Sequence, residues 1–149
     1  MNASYEFVAS REPFVVEKRV RWSDCDPAGV VFTGKFAEYM LLAANYLFDD
    51  MGGGRYFEWL KELGVDTPCK GLEMEFHGAL WPEDRFNMHC TVSAIRESSY
   101  DITVEAAQAD GRRIFTGRFS PICISREVRK RAPIPPAMLE QLRRFQATA

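Results

Sequence analysis

Histidine is nearly missing from this 149-residue chain, which carries two, His77 and His89. A histidine-rich metal centre is thereby excluded, and any Ser-His-Asp triad would have to use one of those two. The four cysteines, Cys25, Cys69, Cys90 and Cys123, are separated by 44, 21 and 33 positions, with no C-x-x-C and no histidine at zinc-finger spacing. Neither a disulfide framework nor a metal site is signalled, and free thiols fit a cytoplasmic protein. No apolar run approaches the roughly 20 residues of a membrane span, and the opening MNASYEFVASREPF lacks the basic start and apolar stretch of a secretion signal. Charge of one sign is lacking too: 19 Lys and Arg stand against 21 Asp and Glu, a net charge of -2. That balance argues against a nucleic-acid binder, whose affinity comes from coating phosphates with positive charge. Fourteen of the 19 basic side chains are arginine, so local recognition of phosphate by a planar guanidinium stays open.

What is present is enough apolar material to fold. At 46% hydrophobic and 13% aromatic, the chain can offset the entropy of ordering, and its length suits a single domain over 1–149. Alternation of Phe14, Val16, Val20 and Trp22 with charged residues predicts a first strand. It runs into SDCDPAG, where Pro27 removes an amide and pushes Asp26 out of helical backbone, so a loop is forced. From Phe36 to Phe48 the polar positions narrow to one stripe, which predicts a buried helix. DDMGGG ends it, and RYFEWLKELG predicts a second, shorter helix up to Gly64. Further strands are predicted at 72–80, 86–94 and 100–106, and a fifth from Arg113, with a bulge or edge position at Pro121. Asp110-Gly111 predicts a two-residue type I′ hairpin turn. The tail, 127–149, should end in a short amphipathic helix, PPAMLEQLRRF. The last three strands form a meander, and one long helix cannot cover both faces of five strands. The second face must be polar or packed on a partner.

The chemistry concentrates in residues 24–32, DCDPAGVVF. A carboxylate beside a helix N-terminus can attack a carbonyl carbon or activate water while the free amides polarise the carbonyl oxygen. By spacing alone, two aspartates that cap the turn are the commoner explanation.

DCDPAGVVF followed by a helix and then strands resembles the signature of the hot-dog-fold acyl-CoA thioesterases, most closely the 4-hydroxybenzoyl-CoA thioesterases, over about residues 14–126. The resemblance implies an α+β hot-dog fold, a five-stranded antiparallel sheet wrapped around one long helix. It implies hydrolysis of an acyl-CoA or aryl-CoA thioester, with no cofactor besides the coenzyme A of the substrate, and two or four protomers sharing the sites. By match, Asp26 is the catalytic carboxylate, as nucleophile or general base, and the backbone amide of Thr33 polarises the thioester carbonyl. Gly29 lies in the same loop and is assigned to substrate binding. IRESSY resembles the coenzyme A phosphate-binding segment, which makes Arg96 and Ser99 ligand candidates. Arg126 opens a basic tail, with six basic against two acidic side chains over 126–149, that suits a phosphorylated nucleotide. Taken on chemistry alone, Arg96 is also an ordinary strand-end charge and the tail an ordinary solvated one. Phe32-Thr33 replaces a Tyr-His common in related short-chain enzymes, Leu41 replaces a helix acid, and MGGGRYFEWL has no clear counterpart. A hydratase or dehydratase of the same fold and a non-catalytic acyl-CoA sensor are the alternatives; the first needs a histidine near the central helix. His77 reads as a surface or dimer-interface residue.

Overall fold

The structure, a computed structural model, describes residues 4–147. The first three residues of the N-terminal stretch and the last two of the tail lie outside the described residues. Six antiparallel strands form one sheet: β1 (Glu6–Arg11), β2 (Phe14–Arg19), β4 (Cys69–Phe76), β5 (Arg85–Ile95), β6 (Tyr100–Ala107) and β7 (Arg113–Pro121), in the spatial order β1-β2-β5-β6-β7-β4. A two-stranded ribbon pairs β3 (Val65–Asp66) with β8 (Ile124–Ser125). Three helices complete the chain: α1 (Thr33–Met51), α2 (Tyr56–Leu63) and α3 (Pro136–Arg144).

The expected sheet around one long helix is present, with six strands in place of five. The extra strand, β1, is an edge with only partly covered side chains, so no buried apolar set writes a period of two into its sequence. The first strand stops at Arg19, not Trp22. Residues Trp22–Asp24 instead form a 3-10 turn that leads into the loop. The meander β5-β6-β7 stands as expected, but β4 crosses over to pair with β7 at the far edge. β7 ends at Pro121, the irregularity there falls on its partner strand, between Cys69 and Gly71 of β4, and Ile124 belongs to the separate ribbon.

The hairpin at Asp110-Gly111 is a correction. Only Gly111 has positive φ there, at 90°, and the Gly111 N–H bonds the Gln108 carbonyl at 2.9 Å while Gln108 N–H bonds the Arg112 carbonyl. That is a type I turn followed by a left-handed glycine, a three-residue loop, which suits Asp110 better than the positive φ that a type I′ turn would demand of it.

Helix α1 buries Phe36, Tyr39, Met40, Ala43, Ala44, Leu47 and Met51 against β2, β5, β6 and β7. The close approach needs Gly117 on β7, because a Cβ there would fall 2.2 Å from the Met40 sulfur. On α3, Met138 and Leu142 are buried, and they join the same apolar cluster together with Ile134 and Phe145. The opposite face of the sheet displays Glu73, Glu75, His89, Thr103, Glu105 and Arg118, so polarity rather than a second helix layer resolves the uncovered face. Edge strand β4 is different, being mostly exposed, and its apolar Leu72 and Phe76 are about half open to solvent. Among the described residues no helix is long and apolar enough to cross a membrane.

Candidate active site

The loop between β2 and α1 is fixed by its first aspartate. Asp24 is buried, and its carboxylate accepts the Tyr39 hydroxyl at 2.6 Å from the second turn of α1. The Arg21 N–H reaches the same oxygen at 3.4 Å, Lys35 Nζ lies 3.7 Å from the other, and the Phe32 N–H bonds the Asp24 carbonyl. One residue thus ties the start of the loop, its end and the helix together. A buried hydrogen bond to a charged acceptor of this kind contributes about 1.5–3 kcal/mol. Burial, and then the carboxylate of Asp24, push the Tyr39 phenol well above its ordinary value, so it stays a donor.

Between these anchors the loop closes on itself. Cys25 bridges to Val31, the Asp26 N–H bonds the Val30 carbonyl at 2.8 Å, and the Gly29 N–H bonds the Asp26 carbonyl at 2.9 Å. Gly29 sits at φ 86°, where a side chain would be strained. The half-buried Asp26 carboxylate accepts one hydrogen bond among the described residues, from Ala28 N–H at 2.9 Å. Its second oxygen is open. Desolvation and then the charges of Asp24 and Asp26 raise the pKa of the neighbouring Cys25 thiol, which disfavours its thiolate.

Helix α1 begins at Thr33 without a side-chain cap and without an acid in its first turn. The Thr33 and Gly34 N–H groups find no acceptor among the described residues. Such amides carry the positive end of the helix dipole and suit an oxygen that gains negative charge. Asp26, Gly29 and Thr33 are therefore brought together at one end of the molecule, where the loop packs on the segment before β5 through Val31 N–H to Leu80 O and Val20 N–H to Asp84 O.

Arg96, Ser99 and Arg126 lie at the other end. The Arg96–Ser99 turn follows β5, whose 11 residues span about 35 Å. Arg96 Nε donates to Ser99 Oγ at 2.8 Å, and its two Nη atoms grip Asp101 at 2.5 and 3.2 Å, while Ser120 Oγ donates to Asp101 at 2.5 Å. The Arg96 hydrogen bond holds the Asp101 carboxyl below its ordinary value, and the same bond raises the guanidinium pKa. Arg126 and Arg129 both grip Asp66, at 3.0 and 2.5 Å. Each of these three guanidiniums is more than a third exposed and keeps N–H groups outside its ion pair, so a phosphate can still be bound.

Sequence reasoning missed Asp101, Asp66 and Tyr39. Asp101 gave no signal because its partners, a turn arginine and Ser120 of the neighbouring strand, share no sequence pattern with it, and Tyr39 read as ordinary helix core. His77 lies just beyond the end of β4, exposed, against Thr116 and Arg113. Among the described residues no group of three His, Cys, Asp or Glu side chains is placed to hold a metal ion.

The sequence profile of the Thioesterase-like superfamily matches residues 20–142, from the end of β2 through most of α3. The chain belongs to this superfamily. Among solved structures, a thioesterase superfamily protein from Jannaschia shares 26% identity, with 93% of this chain and 96% of that one covered and a TM-score of 0.81. A 1,4-dihydroxy-2-naphthoyl-CoA thioesterase from Synechocystis shares 20% identity over 87% and 94%, at a TM-score of 0.78. A Staphylococcus aureus protein solved in complex with CoA shares 13% over 100% and 92%, at 0.82. A search of curated protein sequences finds no match. The hot-dog fold, α+β with an antiparallel sheet wrapped on a central helix, is thus shared across the thioesterase-like proteins and this chain.

Proposed function

We propose that the protein hydrolyses an acyl-CoA or aryl-CoA thioester to the free acid and coenzyme A. The observation that carries this reading is the asymmetry of the two loop aspartates. Asp24 is consumed by Tyr39, whereas Asp26 keeps an open oxygen beside the uncapped amides of α1. In the reaction, Asp26 either attacks the thioester carbon, giving an anhydride that water then cleaves, or takes a proton from the attacking water. On either route the Thr33 N–H meets the negative charge that develops on the carbonyl oxygen. The carbon–sulfur bond breaks, and the thiolate of coenzyme A leaves and is protonated. Membership of the superfamily and the thioesterase and CoA-bound relatives support the substrate class.

The phosphates of coenzyme A are then held by Arg96 and Arg126, with Ser99 orienting Arg96. These groups and Asp26 stand at opposite ends of β5, whose 11 residues span about 35 Å when extended, so the two halves of the site are assigned to different protomers. Antiparallel pairing of two β4 edges about a two-fold axis places the Arg96 end of one protomer beside the Asp26 end of the other. It also covers Leu72 and Phe76. A homodimer, alone or doubled into a tetramer, is therefore part of the proposal. Relatives that hydrolyse hydroxyaryl thioesters favour an aryl group, such as 4-hydroxybenzoyl, over a simple chain.

Thiol release from short-chain, long-chain and aromatic acyl-CoAs tests the reading, with wild type and Asp26→Asn run side by side. Turnover by wild type that collapses in the variant supports it. Tight binding of the CoA esters with no thiol release would replace it with a sensor.

A further inference from the structure

The alternation that marks β2, Phe14, Val16 and Val20, breaks at position 18, where the pattern asks for an apolar side chain and a lysine stands. Lys18 faces the interior all the same. It is 5% exposed, and its neighbours on that face, Val16 and Val20, are fully buried. A buried cation is costly unless it is paired, and a well-packed apolar side chain serves stability as well or better. A lysine among these core side chains therefore points to a use other than packing.

Among the described residues the Lys18 ammonium has one hydrogen-bond acceptor, Glu6 Oε2 at 2.8 Å, directly across the β1–β2 pair. It also lies over two aromatic rings, with Nζ 5.5 Å from the ring centroid of Tyr39 and 5.9 Å from that of Tyr5. Tyr39 is the residue whose hydroxyl holds Asp24 at 2.6 Å. Its ring packs on Phe86 and Phe36, with centroids 5.4 and 6.3 Å away, so its place beside the cation is fixed. A cation over a phenol ring draws electron density from it and makes the O–H a stronger donor. Contacts thus run from Glu6 on edge strand β1 through Lys18 and Tyr39 to Asp24, and from Asp24 to both ends of the loop that carries Asp26.

We propose that Lys18 is a positioning residue: through the ring of Tyr39 it tightens the hold on Asp24, and so keeps the Asp26 carboxylate and the Thr33 amide in their productive relation. The inference rests on the thioesterase reading and adds to it a residue outside the site. Among the described residues Lys18 makes no hydrogen bond or ion pair to Asp26 or to the α1 amides, so its route to them is Tyr39 and Asp24. It also gives β1 a use, since that strand supplies the carboxylate that keeps the ammonium paired.

The double variant Lys18→Met with Glu6→Gln removes both charges together, so no lone charge is left buried and its stability in denaturant should match or exceed wild type. For the fastest CoA ester of the panel its kcat should fall about fivefold with KM within about twofold, the size of one cation–π contact. Lys18→Gln, which keeps the length and a donor for Glu6 without the cation, should show the same split. In a Tyr39→Phe background the charge removal should change kcat less than about twofold, because the path through the hydroxyl is already cut. Amide hydrogen exchange reads the loop without catalysis. The Asp26 and Phe32 N–H groups, which bond the Val30 and Asp24 carbonyls, should exchange about fivefold faster in the double variant while the β6 amides keep their protection. Turnover and loop exchange at wild-type levels overturn the role of Lys18 and leave the thioesterase standing. A parallel fall in stability, β6 protection and kcat, or full additivity with Tyr39→Phe, overturns it as well. Faster loop exchange with no ester hydrolysed even by wild type keeps the link from Lys18 to the loop and overturns the thioesterase. Neither a loop change nor hydrolysis overturns both.

Discussion

The two ends of the sheet solve opposite problems with the same kinds of side chain. At the Asp26 end a buried carboxylate, Asp24, is fully engaged so that a second one two residues on can be left open next to unpaired helix amides. At the Arg96 end the arginines proposed to meet phosphate are each paired with a carboxylate. Arg96 is gripped by Asp101 and Ser99, and Arg126 and Arg129 share Asp66. Groups that must react need an unmet valence. Groups that must only hold a phosphate can be pre-aligned by a carboxylate and still offer spare N–H donors.

The sharpest way to break this contrast is to remove the open group. Asp26→Asn should lower kcat on the order of 10³-fold with the KM for a CoA ester nearly unchanged, measured by thiol release. A fall of less than tenfold would make Asp26 a turn former like its neighbour. Tyr39→Phe attacks the anchor instead. It should cost about 2 kcal/mol in denaturant unfolding and lower kcat more than it raises KM, because the loop and the Thr33 amide lose their fixed relation. Unchanged kcat with the full stability loss would confine Asp24 to stability. At the other end, Arg96→Ala should raise KM about tenfold with kcat largely retained, and the defect should narrow as ionic strength rises and screens the lost ion pair. A kcat defect as large as its KM defect would move Arg96 into the chemistry.

The smallest effect is in acid. Arg96 holds the Asp101 carboxyl below its ordinary value, so the stability from this pair is whole above the ordinary carboxylate range and is lost as pH falls through the lowered pKa. Wild type should exceed Asp101→Asn in stability at about pH 7, and the gap should close as pH falls below the ordinary carboxylate range. A gap that persists in acid would assign it to packing.

The Asp26 end could be read from the chain more fully than the Arg96 end. DCDPAGVVF is contiguous, and proline, glycine and the following apolar stripe force a loop into a buried helix, so the placement of Asp26, Gly29 and Thr33 follows from local rules, while the roles proposed for them come from the family resemblance. What separates Asp24 from Asp26 is Tyr39, fifteen positions on and indistinguishable in pattern from helix core. The binding end is assembled from distant pieces: Asp66 meets Arg126 and Arg129, and Asp101 meets Ser120. No periodicity encodes such pairs. Edge elements hid for a related reason. β1 has no buried face to write an alternation, and β4 alternates clearly yet pairs with β7 rather than β5, a choice set by how the sheet closes on α1.

The account stands on a site assembled from the Asp26 end of one protomer and the Arg96 end of another. Two variants with little activity at low substrate, Asp26→Asn and the double variant Arg96→Ala with Arg126→Ala, should be unfolded together, refolded as an equal mixture and assayed at substrate well below the wild-type KM. Hybrid dimers then contain one intact site, so about a quarter of wild-type activity should return from random pairing. A mixture no more active than its two parents would place the whole site within one chain and contradict the account.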